Sequence, residues 1–165
     1  MLAKEGKGKW SVRVADEGHA LYVNNLTGLE TVAFPREVDL LGQLTALTSL
    51  DVSANKLTTL PPSIGMCTAL TEVIASHCAI SLLPDTMELL TSLTKLDVGH
   101  NKLRDLVELP GSLATLLAND NQITRLTASF RHHAALTALD LTRNALRELP
   151  STMGFLAALT DLHLA

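Results

Sequence analysis

Cysteine, aromatic residues and basic charge are all scarce in this chain of 165 residues. It contains two cysteines, 3% aromatic residues, and 13 lysines and arginines against 17 acids. Two cysteines exclude a disulfide framework and favour a reducing, cytoplasmic (intracellular) location. A net charge of −4 excludes nucleic-acid binding through a broad basic patch.

Long apolar runs and catalytic motifs are missing as well. No segment approaches the roughly 18 uninterrupted apolar residues of a membrane span, and no apolar stretch typical of a secretory signal stands near the N-terminus. No P-loop, GxSxG, HExxH or CxxC motif occurs. We therefore expect no enzyme activity, no catalytic residues, no cofactor, no membrane partner and no small-molecule substrate.

The chain does contain one frame, L-x-x-L-x-L-x-x-N-x-L-x-x-L, which returns at nearly constant spacing. Its five complete copies and a sixth, broken copy begin at Leu47, Leu70, Leu93, Leu113, Leu136 and Leu159. In every complete copy the first, fourth, sixth, eleventh and fourteenth positions are apolar, and the copies follow one another at 23, 23, 20, 23 and 23 residues. Such a fixed period predicts stacked structural repeats.

The ninth position of the frame is polar. It is occupied by Asn55, Cys78, Asn101, Asn121 and Asn144. In a stacked coil this side chain points inward and can bond the backbone of neighbouring turns, and an unpaired buried polar group would cost about 1–3 kcal/mol. The frame, with its Asn/Cys alternation, resembles the leucine-rich repeat family over residues 47–165. The Leu-Pro tails at Leu60, Leu83 and Leu149 resemble the intracellular 23-residue class related to Ras-suppressor proteins.

This resemblance implies an α/β repeat solenoid, with one short parallel strand per repeat on a concave face and a short helix or turn on the convex side. Alternation along each strand places Leu50 and Val52 inside and their neighbours outside. The outward positions form the predicted partner-binding surface: Ser49, Asp51, Ser53, Glu72, Ile74, Ser76, Lys95, Asp97, Thr115, Leu117, Asn119, Asp140 and Thr142.

The fifth-position column of this surface alternates acids with two apolar residues, Ile74 and Leu117. Exposed apolar residues among acids predict a protein partner of basic or mixed charge, although scattered apolar residues are also ordinary on protein surfaces. The leading hypothesis is a non-catalytic protein–protein interaction module, a scaffold or assembly subunit. The alternative is a recognition or regulatory segment of a larger multidomain signalling protein or effector, whose catalytic domain lies outside this chain.

The eighth position brings two histidines, His77 and His100, into adjacent copies, and Asp120 and Arg143 continue the column. Stacked, the two rings would lie about 5 Å apart, near one strand spacing. Such a row could hold a metal in principle, but a polar rim beside the Asn column is the simpler interpretation, so no metal site is predicted. Cys78 is predicted to point into the core.

Residues 10–35 follow a different pattern, W-x2-R-V-x3-G-x3-Y-V-N-x2-T-G-x2-T-x3-P. It resembles a WW domain, a small three-stranded antiparallel sheet, and implies a core of Trp10, Tyr22 and Pro35. Where that family grips proline with aromatic walls, this chain has Leu21 and Val32. We interpret the segment as a degenerate WW-like domain that has lost, or greatly weakened, proline-motif binding. The alternative is an irregular hairpin that caps the solenoid.

The predicted organisation is a basic tail over residues 1–9, the WW-like domain over 10–35, a junction or N-terminal cap over 36–46, and repeats over 47–165. The sixth copy reaches only Ala165. An open solenoid end exposes apolar side chains and a strand edge. We therefore expect either that the chain is a fragment of a longer protein or that a partner covers this end.

Overall fold

One sheet of nine strands runs through the described part of the chain. The computed structural model describes residues 10–14, 20–24, 30–32 and 41–164. The strands are β1 (Trp10–Val14), β2 (Ala20–Asn24), β3 (Glu30–Val32), β4 (Ser49–Asp51), β5 (Glu72–Ile74), β6 (Lys95–Asp97), β7 (Thr115–Leu117), β8 (Ala138–Asp140) and β9 (Asp161–His163). Their spatial order is β3-β2-β1-β4-β5-β6-β7-β8-β9.

The strands β4 to β9 are parallel and come one from each copy of the frame. The parallel solenoid sheet predicted from the sequence is thus confirmed. The strands β1, β2 and β3 pair in antiparallel fashion, and β1 joins the solenoid by pairing parallel to β4 at Trp10 and Leu50. Pro35 lies outside the described residues, so the core of the WW-like domain stays a prediction.

Each parallel strand is short because only its central residue belongs to the apolar frame. In β6, Leu96 is fully buried while Lys95 and Asp97 are partly exposed. The same alternation holds in β4, β5, β7 and β8. Parallel strands need a crossover on the far side of each coil, and the repeat supplies it.

The convex side carries short helices or a turn, as the resemblance implied, and the helices are of the 3₁₀ type. They are η1 (Leu41–Gln43), η2 (Pro62–Met66), η3 (Asp85–Leu89), η4 (Ala128–His132) and η5 (Ser151–Phe155). Segments of five residues or fewer form too few i→i−4 hydrogen bonds to offset the entropy cost of starting an α-helix. The tighter 3₁₀ turn is usual in such short segments. The third copy is three residues shorter and turns at Leu109-Pro110, where Leu113 N–H donates to Pro110 O at 3.1 Å.

The apolar frame builds one continuous core. Its first, fourth and sixth positions are buried in all five copies, and the other two positions are buried in the three central copies. The exceptions are Leu57 and Leu146, which are partly buried, and Leu149, which is 39% exposed. They belong to the first and fifth copies, each of which has one complete copy beside it instead of two.

A left-handed residue follows every strand from β4 to β8 at the eighth position of the frame. The residues are Ala54, His77, His100, Asp120 and Arg143, with φ between 52° and 55°. This conformation turns the chain out of the sheet and into the next segment, and it costs a residue with a Cβ about 1–2 kcal/mol. None of the five is glycine, so the tertiary packing of the coil holds each in place.

Candidate protein-interaction surface

The asparagines at the ninth position of the frame form hydrogen bonds to the backbone of the preceding repeat, and these bonds hold the strands in register. Asn101 Nδ2 donates to the carbonyls of Ala75, Val98 and Gly99 at 2.8–3.1 Å, and its Oδ1 accepts the N–H of Ile80 at 2.9 Å. Asn121 and Asn144 repeat this arrangement on the third and fourth copies. The ladder satisfies backbone groups that the sharp turn after each strand leaves without a sheet partner.

Cys78 takes part in the same column, and its side chain packs against the core. It is partly buried and does not lie fully in the core. Its Sγ approaches the carbonyls of Val52 at 3.4 Å and Ser76 at 3.7 Å. A thiol is shorter than an amide and has one weak donor, so it replaces only part of the asparagine network.

At the N-terminal end of the strands, a row of threonines forms hydrogen bonds between neighbouring repeats. Sequence reasoning did not recognise this row. The hydroxyls of Thr71, Thr94, Thr137 and Thr160 each donate to the carbonyl of the second position in the preceding copy, at 2.9–3.1 Å. The signal was present, because threonine occupies the second position of every copy except the fourth, which has Ala114.

The strand register aligns the fifth-position column into one row across the sheet. In order along the row the residues are Asp51, Ile74, Asp97, Leu117, Asp140 and His163. Neighbouring strands lie about 4.8 Å apart, so Asp51 to Asp140 spans roughly 19 Å. We name Asp51, Ile74, Asp97, Leu117 and Asp140 the contact row. All five are partly exposed.

The three acids of the contact row are held in a fixed orientation by their own strand ends. Asp97 Oδ1 accepts the N–H of Gly99 at 3.0 Å. Asp51 and Asp140 each accept both the N–H and the hydroxyl of the residue two positions later, at 2.6–2.9 Å. One carboxylate oxygen therefore stabilises the turn, a role that sequence reasoning did not assign, and the second oxygen has no protein partner in the described part of the chain.

The third-position column carries an ion pair. Glu72 Oε1 lies 3.0 Å from Lys95 Nζ, and Ser49 Oγ donates to the other Glu72 oxygen at 3.2 Å. Thr115 continues the column on β7. Lys95 and Glu72 therefore neutralise each other beside the three acids of the contact row.

The seventh-position column is less accessible than predicted. Ser53, Asn119 and Thr142 are partly exposed, but Ser76 is only 8% exposed. Its side chain is short, and its carbonyl already accepts the N–H of Ala54 from the adjacent coil. Ser76 is therefore the least accessible residue of the predicted partner-binding surface, and its place there stays a prediction.

The eighth-position residues form a polar rim beside the asparagine column. The rings of His77 and His100 are stacked, with centroids 4.0 Å apart and planes 11° from parallel. Asp120 lies 3.5 Å from His100 Nε2 and 3.2 Å from Arg143 Nη1. The hydrogen bond from Asn119, helped by Arg143 and His100, lowers the pKa of the Asp120 carboxyl against the opposing desolvation.

The described ranges contain no metal site, disulfide or membrane-spanning helix. No three His, Cys, Asp or Glu side chains converge there as metal ligands would. Neither cysteine of that part is in a disulfide, and Cys67 Sγ approaches the Leu41 carbonyl at 3.1 Å. No helix among the described residues is long and apolar enough to span a membrane.

Comparisons with a family model and with solved structures both find similarity to leucine-rich repeats. The family model for the leucine rich repeat matches residues 46–67. A leucine-rich repeat protein of Leptospira interrogans is 32% identical, with a TM-score of 0.73 over 76% of this chain and 33% of its own. This chain therefore spans about a third of that protein's length. A comparison with curated protein sequences finds no significant match.

Two further solved structures share the fold. The functional domain of InlJ from Listeria monocytogenes is 24% identical, with a TM-score of 0.66 over 78% of this chain and 27% of its own. The PEPR1–AtPEP1 structure is 29% identical, with a TM-score of 0.66 over 75% of this chain and 19% of its own. The first of these likenesses carries information on the fold alone.

Proposed function

We propose that this chain, a leucine-rich repeat protein, is a scaffold or assembly subunit that binds a protein partner on the concave face of its sheet. Leucine-rich repeats are in general non-catalytic protein-interaction modules, and the PEPR1–AtPEP1 structure is an example of such a fold with a second component. The proposal places the protein inside the cell, where thiols stay reduced, and neither Cys67 nor Cys78 is in a disulfide in the described part of the chain.

The observation that carries the proposal is the contact row. Ile74 and Leu117 stand partly exposed at solvent-facing positions, where a strand that only needed solubility would carry polar residues. The three acids that alternate with them are each oriented by a backbone N–H bonded to Oδ1, which leaves the second carboxylate oxygen for a partner. Acidic and apolar groups that alternate at about 4.8 Å suit a partner that presents basic and apolar side chains at a similar spacing.

Changing the contact row should abolish binding of that partner. The test variant combines Ile74→Ser and Leu117→Ser with Asp→Asn at positions 51, 97 and 140, because asparagine keeps an acceptor oxygen for the strand-end turn. Tagged wild-type and variant chains would be used for affinity purification from the native source, with bound proteins quantified by mass spectrometry. At least one partner should fall tenfold or more with the variant.

A convex-side variant provides the matched control. Leu82→Ser and Leu89→Ser remove two leucines that are 59% and 50% exposed, away from the concave face. This control should retain the partner that the contact-row variant loses. If the contact-row variant, folded by circular dichroism, retains every partner of the wild type, the proposal is wrong.

A second candidate is a recognition segment within a larger signalling protein or effector. It is favoured by the share of the relatives that this chain spans, between 19% and 33% in the three structures compared above. The complete reading frame in the source genome distinguishes the two candidates, since only the second requires a catalytic domain in the same polypeptide.

We further propose that residues 10–35 form the degenerate WW-like domain and no longer bind proline motifs. The antiparallel pairing of β1 with β2 and of β2 with β3 supports the comparison. Proline-rich peptides titrated to millimolar concentration should leave the fluorescence of Trp10, the one tryptophan of the chain, unchanged. A proline-binding WW domain serves as the positive control, and a saturable change in this chain would contradict the proposal.

A further inference from the structure

A histidine is buried on the convex side of the fourth repeat, where the other helix-containing copies carry an apolar residue. His133 follows η4 and is 2% exposed. The equivalent positions, twenty residues after the first leucine of each copy, hold Cys67, Leu90 and Leu156, all of them buried. Neither ring nitrogen of His133 makes a hydrogen bond of normal geometry in the described part of the chain, although the backbone carbonyls of Phe130, Ser129 and Leu109 lie near enough to favour its charged form.

The ring lies against the turn of the shortened third repeat. Its neighbour in η4 is the buried Phe130, with ring centroids 5.2 Å apart. The third repeat passes this point through Leu109-Pro110-Gly111 without a helix, and a side chain added at Gly111 would meet the His132 carbonyl at 3.1 Å. The histidine therefore sits at a junction where two repeats of unequal length are packed tightly together.

Few charged side chains lie close enough to the imidazole of His133 to stabilise its protonated form. From the third repeat, Glu108 is exposed and lies near enough to favour the charged form. Within η4, Arg131 and His132 are exposed and bonded to each other, with Arg131 Nε donating to His132 Nε2 at 3.1 Å. The helix η5, which packs on the other side of η4, contains no titratable residue.

Burial lowers the pKa of His133 below the ordinary value of 6.5, although nearby backbone carbonyls and Glu108 oppose the shift. The unfolded ring therefore binds a proton at a pH where the folded ring does not. The free energy that holds this junction closed has its full value above about pH 6.5. It decreases as the pH falls from 6.5 to the pKa of the folded ring, and over this range the equilibrium constant for opening rises by up to tenfold for each pH unit.

We propose that His133 makes the junction of the third and fourth repeats an acid-sensitive joint, at which uptake of one proton releases η4 from the Leu109–Gly111 turn. In a solenoid each repeat contacts only its neighbours, so this junction can open while the first two repeats stay folded. Because Leu117 belongs to the fourth repeat, opening also disturbs the sheet on which the contact row depends.

Amide hydrogen exchange tests the joint directly. Protection factors, corrected for the intrinsic pH dependence of exchange, would be measured at pH 7.5 and 5.5 for the wild type, His133→Leu and His132→Gln. His132→Gln is the matched control, since it removes the exposed neighbouring histidine. We expect protection around residues 127–136 to fall severalfold or more at pH 5.5 in the wild type and in the control, but not in His133→Leu. Equal acid loss in His133→Leu, or none in the wild type, overturns the proposal.

A second measurement needs no substitution. The ring protons of His133 and His132 in the wild type can be followed by NMR from pH 8 to pH 5. His133 should titrate below the ordinary histidine pKa of 6.5, together with new exchange at the η4 amides. A His133 ring that titrates at or above pH 6.5 also overturns the proposal, even if His133→Leu fails to fold.

Discussion

Replacing Leu96 with alanine should lower the free energy of unfolding by about 3–5 kcal/mol. Leu96 is fully buried at the centre of β6, with complete copies of the frame on both sides, so the surrounding coils cannot collapse into the space that the side chain leaves. The loss combines the transfer of the removed methyl groups with the cavity left behind. Urea denaturation followed by far-ultraviolet circular dichroism measures it.

The same substitution at Leu82 serves as the control, because it removes the same atoms from an exposed leucine and so isolates the contribution of burial. Leu82 is 59% exposed and should lose about 0.5 kcal/mol or less when changed to alanine. Similar losses at Leu82 and Leu96 would mean that the frame does not form the core described here.

The change Asn101→Ala should destabilise the protein by about 3–4 kcal/mol. It removes one side chain that serves three carbonyls and one N–H, and it leaves those backbone groups buried without an equivalent partner. The cost of each unmet group is about 1–3 kcal/mol, and the sum is less than additive because water reaches some of them. Denaturant unfolding with the wild type as reference is the measurement.

The neighbouring copy supplies a graded comparison. Cys78 already occupies the ninth position of the second copy, where its single S–H can donate to the carbonyl of Val52 or to that of Ser76. Asn101→Cys should therefore lose clearly less stability than Asn101→Ala. An equal loss in the two variants would show that the hydrogen bonds of this column contribute little, and that the volume of the side chain is what matters.

Much of the fold follows from the spacing of apolar residues. The frame predicted stacked copies with an inward asparagine column, because a period of about 23 residues can bury its apolar face only by stacking, and its resemblance to leucine-rich repeats implied the parallel strands with their inward and outward faces. The positions of Leu96 and Asn101 in the core are read directly from that frame. The candidate surface follows too, since strand alternation decides which side chains face out.

The features that the sequence did not specify involve local geometry or neighbours in space. The 3₁₀ class of the crossovers depends on how the chain closes each coil, and Ser76 is buried by the adjacent coils around it. His133 stood in the sequence as one of two histidines on the convex tail, with nothing to separate it from His132. Only the packing of η4 against the shortened third repeat buries one ring and exposes the other.

By itself, then, the sequence determined a stacked solenoid, its core, its asparagine column and the row of outward residues that we propose as a contact surface. These depend on periodicity, which the chain carries residue by residue. The tertiary structure alone decided that β1 extends the solenoid sheet, that the acids of the contact row hold their own strand ends, and that His133 is buried without a ring hydrogen bond of normal geometry in the described part of the chain. Each of these depends on which groups meet in space and how much water is left between them, and spacing along the chain does not specify that.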